Sequence, residues 1–185
     1  IKKRGKRMFQ QFRLAIYHYI LKSQLKKHHQ KHEFVSFEMA KKIGILFDIT
    51  EEEHIPIINK YVAKLERQQK KVKLLGFVDA SAANENLMFP SFSRRETNLF
   101  FVPKGDAVQT FIEQPFDILI CIFLSDSPSL EYISTFSKAR FRVGKHLEAK
   151  EHCFDLMMNH ENDSVKDFLD KLHPYLNMFS PKKNK

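Results

Sequence analysis

Short apolar runs alternate with helix-forming segments along most of this sequence, and no other feature limits its fold so strongly. Five runs have the length and apolar content of strands that are buried on both faces. They lie at 42–48, 72–78, 116–123, 140–145 and 154–158. Helices are expected between them because strands that alternate with helices form a parallel sheet, with right-handed crossovers placing helices on both faces. The sequence therefore predicts an α/β fold with a Rossmann-like parallel sheet and flanking helices.

Local signals refine the helix boundaries. Thr50 and Glu53 have the spacing of a capping box that opens a helix to about residue 69, although Pro56 favours a kink or a start near Ile55. Residues 104–114 suit a short helix, and a possible short strand lies within 91–102. Pro128 is expected near the first position of the next helix, and Pro174 is expected to interrupt a C-terminal helix over 164–179.

The positive charge of the chain is concentrated at its beginning. Ten of the 31 Lys and Arg residues lie within residues 1–32, which contain no Asp or Glu, so the remaining residues carry 21 basic and 22 acidic side chains. A basic arm on a nearly neutral body indicates a polyanionic partner, either nucleic acid or an anionic membrane surface.

The arm itself has a helical composition. Residues 7–32 lack Pro and Gly and repeat apolar side chains at 3–4 spacing, whereas residues 1–6 are expected to form an extended basic tip. We therefore predict three parts: a basic helical arm over 1–33, one α/β domain over 34–180 and a basic tail over 181–185. The domain is expected to fold without its arm.

The candidate nucleic-acid contacts are the basic residues of the arm, of the tail and of one predicted strand, on which Arg140, Arg142 and Lys145 are expected to share a face opposite Phe141 and Val143. A solvated strand face explains that last group equally well. The remaining candidates are Lys2, Lys3, Arg4, Lys6, Arg7, Arg13, Lys22, Lys26, Lys27, His28, His29, Lys31, Lys182 and Lys183.

The predicted strand ends do not suggest nucleotide chemistry. Neither a G-x-G-x-x-G fingerprint nor a P-loop is present, and the acidic residues that follow Asp48 would repel phosphate. The hydroxyl-rich segment 125–129 is expected mainly to cap a helix, and Asp48 and Asp117 are expected at opposite edges of the sheet. We therefore expect no catalytic residues, no cofactor and no metal, and no turnover of nucleotides or sugar phosphates.

Other classes of protein leave no clear signal in the sequence. The longest apolar run, residues 118–124, is far shorter than the ~20 residues needed to span a bilayer. Cys121 and Cys153 fit reduced thiols in a cytoplasmic protein, and the spacing of His28, His29 and His32 favours contact with a polyanion over a zinc site.

The order of short motifs resembles a small uncharacterised family from the Bacteroidota. The motifs are GILFD at 44–48, LGFV at 75–78, FDILI at 116–120, SKARFRVG at 137–144 and DLMM at 155–158. The resemblance covers about residues 41–179 and, more loosely, the arm, and it implies a bacterial cytoplasmic α/β domain without assignable catalytic residues.

Charge and fold together lead to a functional prediction. A basic arm and tail on a neutral α/β body predict an RNA-binding protein, ribosomal or ribosome-associated, that contacts ribosomal RNA and neighbouring ribosomal proteins. Two alternatives remain open at this point. One is an enzyme or small-molecule-binding protein that uses the crevice at the carboxyl ends of the strands, and the other is a membrane-surface or protein-interaction module.

Overall fold

A computed structural model of the chain describes residues 2–28, 30–79, 87–162 and 164–178. Six parallel strands form one sheet in the order β3-β2-β1-β4-β5-β6, so the predicted Rossmann-like α/β fold is confirmed. The strands are β1 Lys42–Asp48, β2 Lys71–Val78, β3 Ser91–Ser93, β4 Ile118–Ile122, β5 Phe141–Lys145 and β6 Leu156–Met158. All five strands predicted from apolar runs are present, and the possible short strand within 91–102 is β3.

Helices cover both faces of the sheet. On one face, α2 His54–Arg67 and α5 Val165–Met178 pack on β1 and β4 through residues such as Leu65 and Phe168. On the other face, α3 Asp106–Ile112 and α4 Pro128–Phe136 pack through residues such as Phe111 and Ile133. The first helix, α1 Lys2–Leu25, lies outside α4. The buried strand faces and the helices that cover them form the two layers of the core.

Several helix boundaries differ from those expected. The helix α1 already begins at Lys2, where an extended tip was predicted, and it ends at Leu25 instead of near residue 32. The predicted capping box does not form, because the Thr50 hydroxyl oxygen accepts a hydrogen bond from the Asp79 amide and leaves α2 to start at His54. Pro56 then falls in the first turn of α2, where its missing N–H is not needed.

Proline at the other end of the chain is better tolerated than predicted. The helix α5 runs through Pro174 without a break. Three of the residues that flank Pro174 along the sheet-facing side, Leu169, Leu172 and Leu176, are buried against the core. Their packing holds the helix together at the position where proline removes one backbone hydrogen bond.

The absence of a side chain at Gly144 in β5 leaves room for the ring of Phe154. A Cβ atom built on Gly144 would lie 2.5–2.9 Å from atoms of the Phe154 ring, which is itself buried. We expect Gly144→Ala to lower the free energy of unfolding by about 1–3 kcal/mol, because the core cannot accept the added methyl group without displacement. Urea unfolding measures this loss. Gly5→Ala is the matched control, since nothing lies within 4 Å of that position and alanine favours the helix; equal effects of the two substitutions would contradict the packing argument.

Candidate nucleic-acid interface and strand-end crevice

The basic helix α1 is fastened to the body by one buried edge. Tyr17 is fully buried and Leu21 nearly so, and the Tyr17 hydroxyl donates a hydrogen bond of 2.7 Å to the carbonyl oxygen of Pro128 at the start of α4. At the C-terminal end of α1, the Gln24 side-chain oxygen accepts a hydrogen bond of 2.8 Å from the Tyr132 hydroxyl. The orientation of α1 is therefore set by contacts with α4.

A buried ion network lies beneath this contact. Glu131 is 2% exposed, and its carboxylate accepts hydrogen bonds from Lys150 Nζ at 2.7 Å and pairs with His152 Nε2 at 2.9 Å. Burial alone would raise the pKa of Glu131, but the bonds from His152 and Lys150 outweigh it and hold that pKa below its ordinary value. Burial and the nearby Glu131 raise the pKa of the Tyr17 phenol far above its usual range, so Tyr17 stays a donor. The network joins α1, α4 and the segment before β6.

The same residues include a possible set of metal ligands. Glu131, His152 and Cys153 each place one ligand atom within 4.8 Å of the others, and Glu51, Glu53 and His54 do so on an exposed turn. The first set is already occupied internally, because Lys150 and His152 hold the Glu131 carboxylate. We therefore interpret the set of Glu131, His152 and Cys153 as part of an ion network that stabilises the fold.

The charge of His152 predicts a pH dependence of stability. Its interactions with Cys153 and then with Glu131 raise the pKa of His152 to about 9. A raised pKa means that the stabilisation is complete below the unfolded value of 6.5 and is lost as the pH rises through about 9. After a discount for solvent screening of this partly exposed ring, we expect a loss on the order of 1–2 kcal/mol between pH 7 and pH 10.

Thermal melting of the wild type and of His152→Asn over this range measures the effect. The stability gap between the two proteins should narrow as the pH rises. His146→Asn, at an exposed histidine just after β5, is the control for the loss of an imidazole elsewhere on the protein. A gap between the wild type and His152→Asn that stays constant with pH would contradict the assignment.

The outer face of α1 and the residues just after it carry the predicted basic contacts. Arg7, Lys22, Lys26, Lys27 and Lys31 are all exposed. Large apolar side chains are exposed on the same helix: Met8, Phe9, Phe12 and Tyr19. Phe12, Tyr19 and Lys22 fall on the side of the helix roughly opposite to Tyr17, given a rotation of about 100° per residue. The surface away from the body is therefore both cationic and aromatic.

Two predicted contact residues in this region are held by the body instead. Arg13 donates a hydrogen bond to the Leu99 carbonyl oxygen, and its guanidinium lies 4.1 Å from the centre of the Phe101 ring. His28 packs edge-on against Phe136 with ring centres 5.2 Å apart. For Lys2, Lys3, Arg4 and Lys6 the structure describes only the helical backbone, and His29, Lys182 and Lys183 lie outside the described residues.

The predicted basic face of β5 is wrong. Both faces of this strand are buried, and Arg142 is only 5% exposed. Its guanidinium pairs with both oxygens of Asp155, at 3.1 and 2.9 Å, and donates to the His152 carbonyl oxygen at 2.9 Å. A guanidinium that is buried and paired inside the protein in this way is not accessible to a phosphate.

The neighbours of Arg142 are also engaged within the chain. Arg140 pairs with Glu33 and, at 3.3 Å, with Asp117. Lys145 donates to the Leu124 carbonyl oxygen at 3.0 Å. None of the three basic residues of this strand region forms the free cationic edge that alternation along the strand predicted.

The crevice at the carboxyl ends of the strands is well formed. The chain leaves β1 toward the α2 face and leaves β4 toward the α4 face, which opens a crevice where these neighbouring strands diverge. A cavity of about 360 Å³ lies there, lined among others by Asp48, Thr50, Asp79 and Ser125. An adjoining cavity of about 340 Å³ reaches Gln10 and Leu14 of α1. The N-terminal half of α1 thus borders this crevice.

Polar groups of the crevice mainly bind one another. Asp48 accepts a hydrogen bond of 2.8 Å from the Thr50 amide, and Asp79 forms an ion pair with Arg94. Asp117 lies at the opposite edge of the sheet and accepts from the amides of Lys41 and Lys42, as expected. Ser127 is the N-cap residue of α4 but makes no side-chain capping bond. The lining is therefore acidic and hydroxyl-rich, which suits phosphate poorly.

Sequence reasoning missed two groups of charged residues. Glu131, Lys150 and His152 are too far apart in the chain for spacing to connect them, although a glutamate within the apolar segment PSLEYISTF is a signal of a buried charge. Lys60, Lys64 and Arg67 recur at i, i+4 and i+7 along α2, which places them on one helix face. This pattern was available in the sequence and points to a second basic surface.

The sequence matches a family of unknown function, DUF6913, over residues 13–179. This range covers most of the chain, so the protein belongs to that family. The match begins within α1 and therefore spans the boundary predicted at residue 33. The sequence matches no curated protein. Among the helices that the structure describes, none combines the length and the apolar character needed to cross a membrane.

Proposed function

We propose that this member of the DUF6913 family binds structured RNA through the outward face of α1 and the basic residues that follow it. One observation carries the proposal: exposed basic side chains lie on and just after a helix that also exposes aromatic rings, and buried contacts set the orientation of that helix. The basic cluster consists of Arg7, Lys22, Lys26, Lys27 and Lys31.

Both kinds of side chain suit RNA. Lysine and arginine neutralise phosphates and release condensed counterions, which provides most of the affinity. Phe12 and Tyr19, 58% and 75% exposed, offer rings on which unpaired bases of loops and bulges can stack. The lack of any carboxylate in residues 1–32 leaves this field uncompensated along the arm.

Ribosomal RNA is the structured RNA that we propose first. It presents helices with unpaired loops beside protein surfaces, so Met8 and Phe9 can contact neighbouring ribosomal proteins while the lysines contact phosphates. A bacterial cytoplasmic protein of the Bacteroidota, as the motif order suggests, would meet this RNA in the cell.

Fluorescence anisotropy with a labelled ribosomal RNA hairpin tests the proposal. We expect saturable binding that weakens steeply between 50 and 200 mM salt, and co-sedimentation with ribosomes that fails at high salt. Binding to vesicles with anionic lipids is measured in parallel, because an exposed apolar and basic helix face also suits a membrane surface. Binding to vesicles without binding to the hairpin or to ribosomes would overturn the proposal.

The crevice supports a second candidate function. Its position where β1 and β4 diverge is the usual ligand site of this strand order, and Asp48, Thr50 and Ser125 line it. An acidic, hydroxyl-rich lining favours a small ligand with hydroxyl or amine donors over a phosphate ester. We still expect no turnover of nucleotides or sugar phosphates. A ligand whose binding is abolished by Asp48→Asn while the hairpin still binds would establish this second function.

A further inference from the structure

A groove runs between α2 and α5, on the sheet face opposite to α1. Its volume is about 450 Å³, within the range of pockets that hold small organic ligands. Its lining residues are Pro56, Ile57, Lys60, Tyr61, Lys64, Arg67, Lys166, Leu169 and Asp170. The groove is independent of the surface proposed to bind RNA, because the sheet separates the two.

The charge of the groove is strongly positive. Four cationic side chains line it against the single carboxylate of Asp170. Lys166 and Asp170 pair with each other at 2.7 Å. Lys60, Lys64 and Arg67 then have no ion pair with any residue in the described segments, and they lie along one face of α2. Asp170 also attracts Lys60 and Lys64, but with four cations against one carboxylate an anionic ligand would still meet a net positive lining.

A buried hydroxyl in the lining also lacks a partner. Tyr61 is 6% exposed, and its hydroxyl makes no hydrogen bond to any described residue. Burial raises the pKa of this phenol, so the group remains an O–H donor. Leaving such a donor unsatisfied costs free energy, which an acceptor oxygen of a ligand would recover.

The rest of the lining is apolar. Ile57, Leu169, Pro56 and the Tyr61 ring form a floor beside the cations. We infer that the groove binds an amphipathic organic anion, with its apolar body on this floor and its phosphate or carboxylate head between Lys64, Arg67 and the Tyr61 hydroxyl. The cations, the Tyr61 hydroxyl and the apolar floor each lack a full set of partners in the protein alone, and one such molecule supplies partners for all three.

Isothermal titration of the full chain with octyl phosphate, below its micelle concentration, tests the inference. Tyr61→Phe and Lys64→Gln should each weaken binding about tenfold, since each removes one bond to a charged head group. Lys171→Gln, an exposed lysine of α5 outside the lining, is the matched control and should change the affinity less than twofold. Octanoate in place of octyl phosphate tells which head group is preferred, and binding of either one supports the site.

Further measurements separate this site from simpler explanations. Inorganic phosphate and octanol should both bind much more weakly, because each lacks half of the recognised structure. Equal affinity for either of them, unchanged affinity of both variants, or displacement of octyl phosphate by the RNA hairpin would overturn the inference. Tyr61→Phe should melt at the same temperature as the wild type or higher, because its hydroxyl has no partner to lose; a clearly lower melting temperature would also contradict it.

Discussion

Replacing Lys22, Lys26, Lys27 and Lys31 together by Gln is expected to lower the affinity for the ribosomal RNA hairpin by about three orders of magnitude at 0.1 M salt. Each lysine that contacts a phosphate contributes a slope of about 0.7–0.9 in the logarithm of the affinity against the logarithm of the salt concentration. The four side chains are exposed, so their removal should leave the fold intact. Anisotropy titrations at several salt concentrations measure both the affinity and the slope.

A control with the same change of net charge distinguishes specific contacts from the overall field of the protein. Lys71, Lys73, Lys104 and Lys171 are also exposed but lie on the body. Their joint replacement by Gln should leave the salt slope nearly unchanged and reduce the affinity much less. If both sets of substitutions reduce binding equally, the contacts are spread over the whole surface, and the assignment of α1 as the RNA interface fails.

Tyr17→Ala is expected to lower the free energy of unfolding by about 3–5 kcal/mol. The substitution empties a fully buried site, removes the hydrogen bond to the Pro128 carbonyl oxygen and uncovers the Glu131 network. Urea unfolding monitored by circular dichroism measures the loss. Tyr19→Ala removes the same type of side chain from a position that is 75% exposed and should change stability by less than about 0.5 kcal/mol.

This result bears on whether the arm is a separate part of the protein. Charge distribution predicted a division at residue 33, with a body that folds by itself. In the structure, the C-terminal part of α1 contacts the body through Tyr17, Leu21 and Gln24. A Tyr17→Ala protein as stable as the wild type would favour the separate arm, whereas the expected loss would make α1 part of the domain.

The same anchoring gives α1 a role in both proposed functions. Because Tyr17 and Gln24 hold the helix against α4, the exposed Lys22 and the rings of Phe12 and Tyr19 are presented on a defined surface. Preorganisation of this kind reduces the entropy lost on binding. The N-terminal half of the same helix borders the strand-end crevice through Gln10 and Leu14. A partner bound to α1 would therefore lie beside the opening of that crevice.

Much of the fold could be predicted from local sequence patterns. A buried parallel strand needs a continuous apolar run, and the segments around Ile45 and Ile120 show this directly. Helix starts were less predictable, because Thr50 had two possible partners and the structure pairs it with the Asp79 amide, 29 residues away. The basic, exposed character of residues 22–31 could also be predicted, since it depends on composition alone.

The sequence by itself determined the α/β class, the positions of the strands and the concentration of charge in the arm, because periodicity and composition act over neighbouring residues. Only the tertiary structure decided which charges are available to a partner. Arg142 pairs with Asp155, and Glu131 pairs with Lys150, because the order of the strands brings these distant segments together. A charged side chain that is paired inside the protein is removed from solvent and is not available to bind another molecule. No local sequence pattern predicts that pairing, because the two partners are distant in the chain.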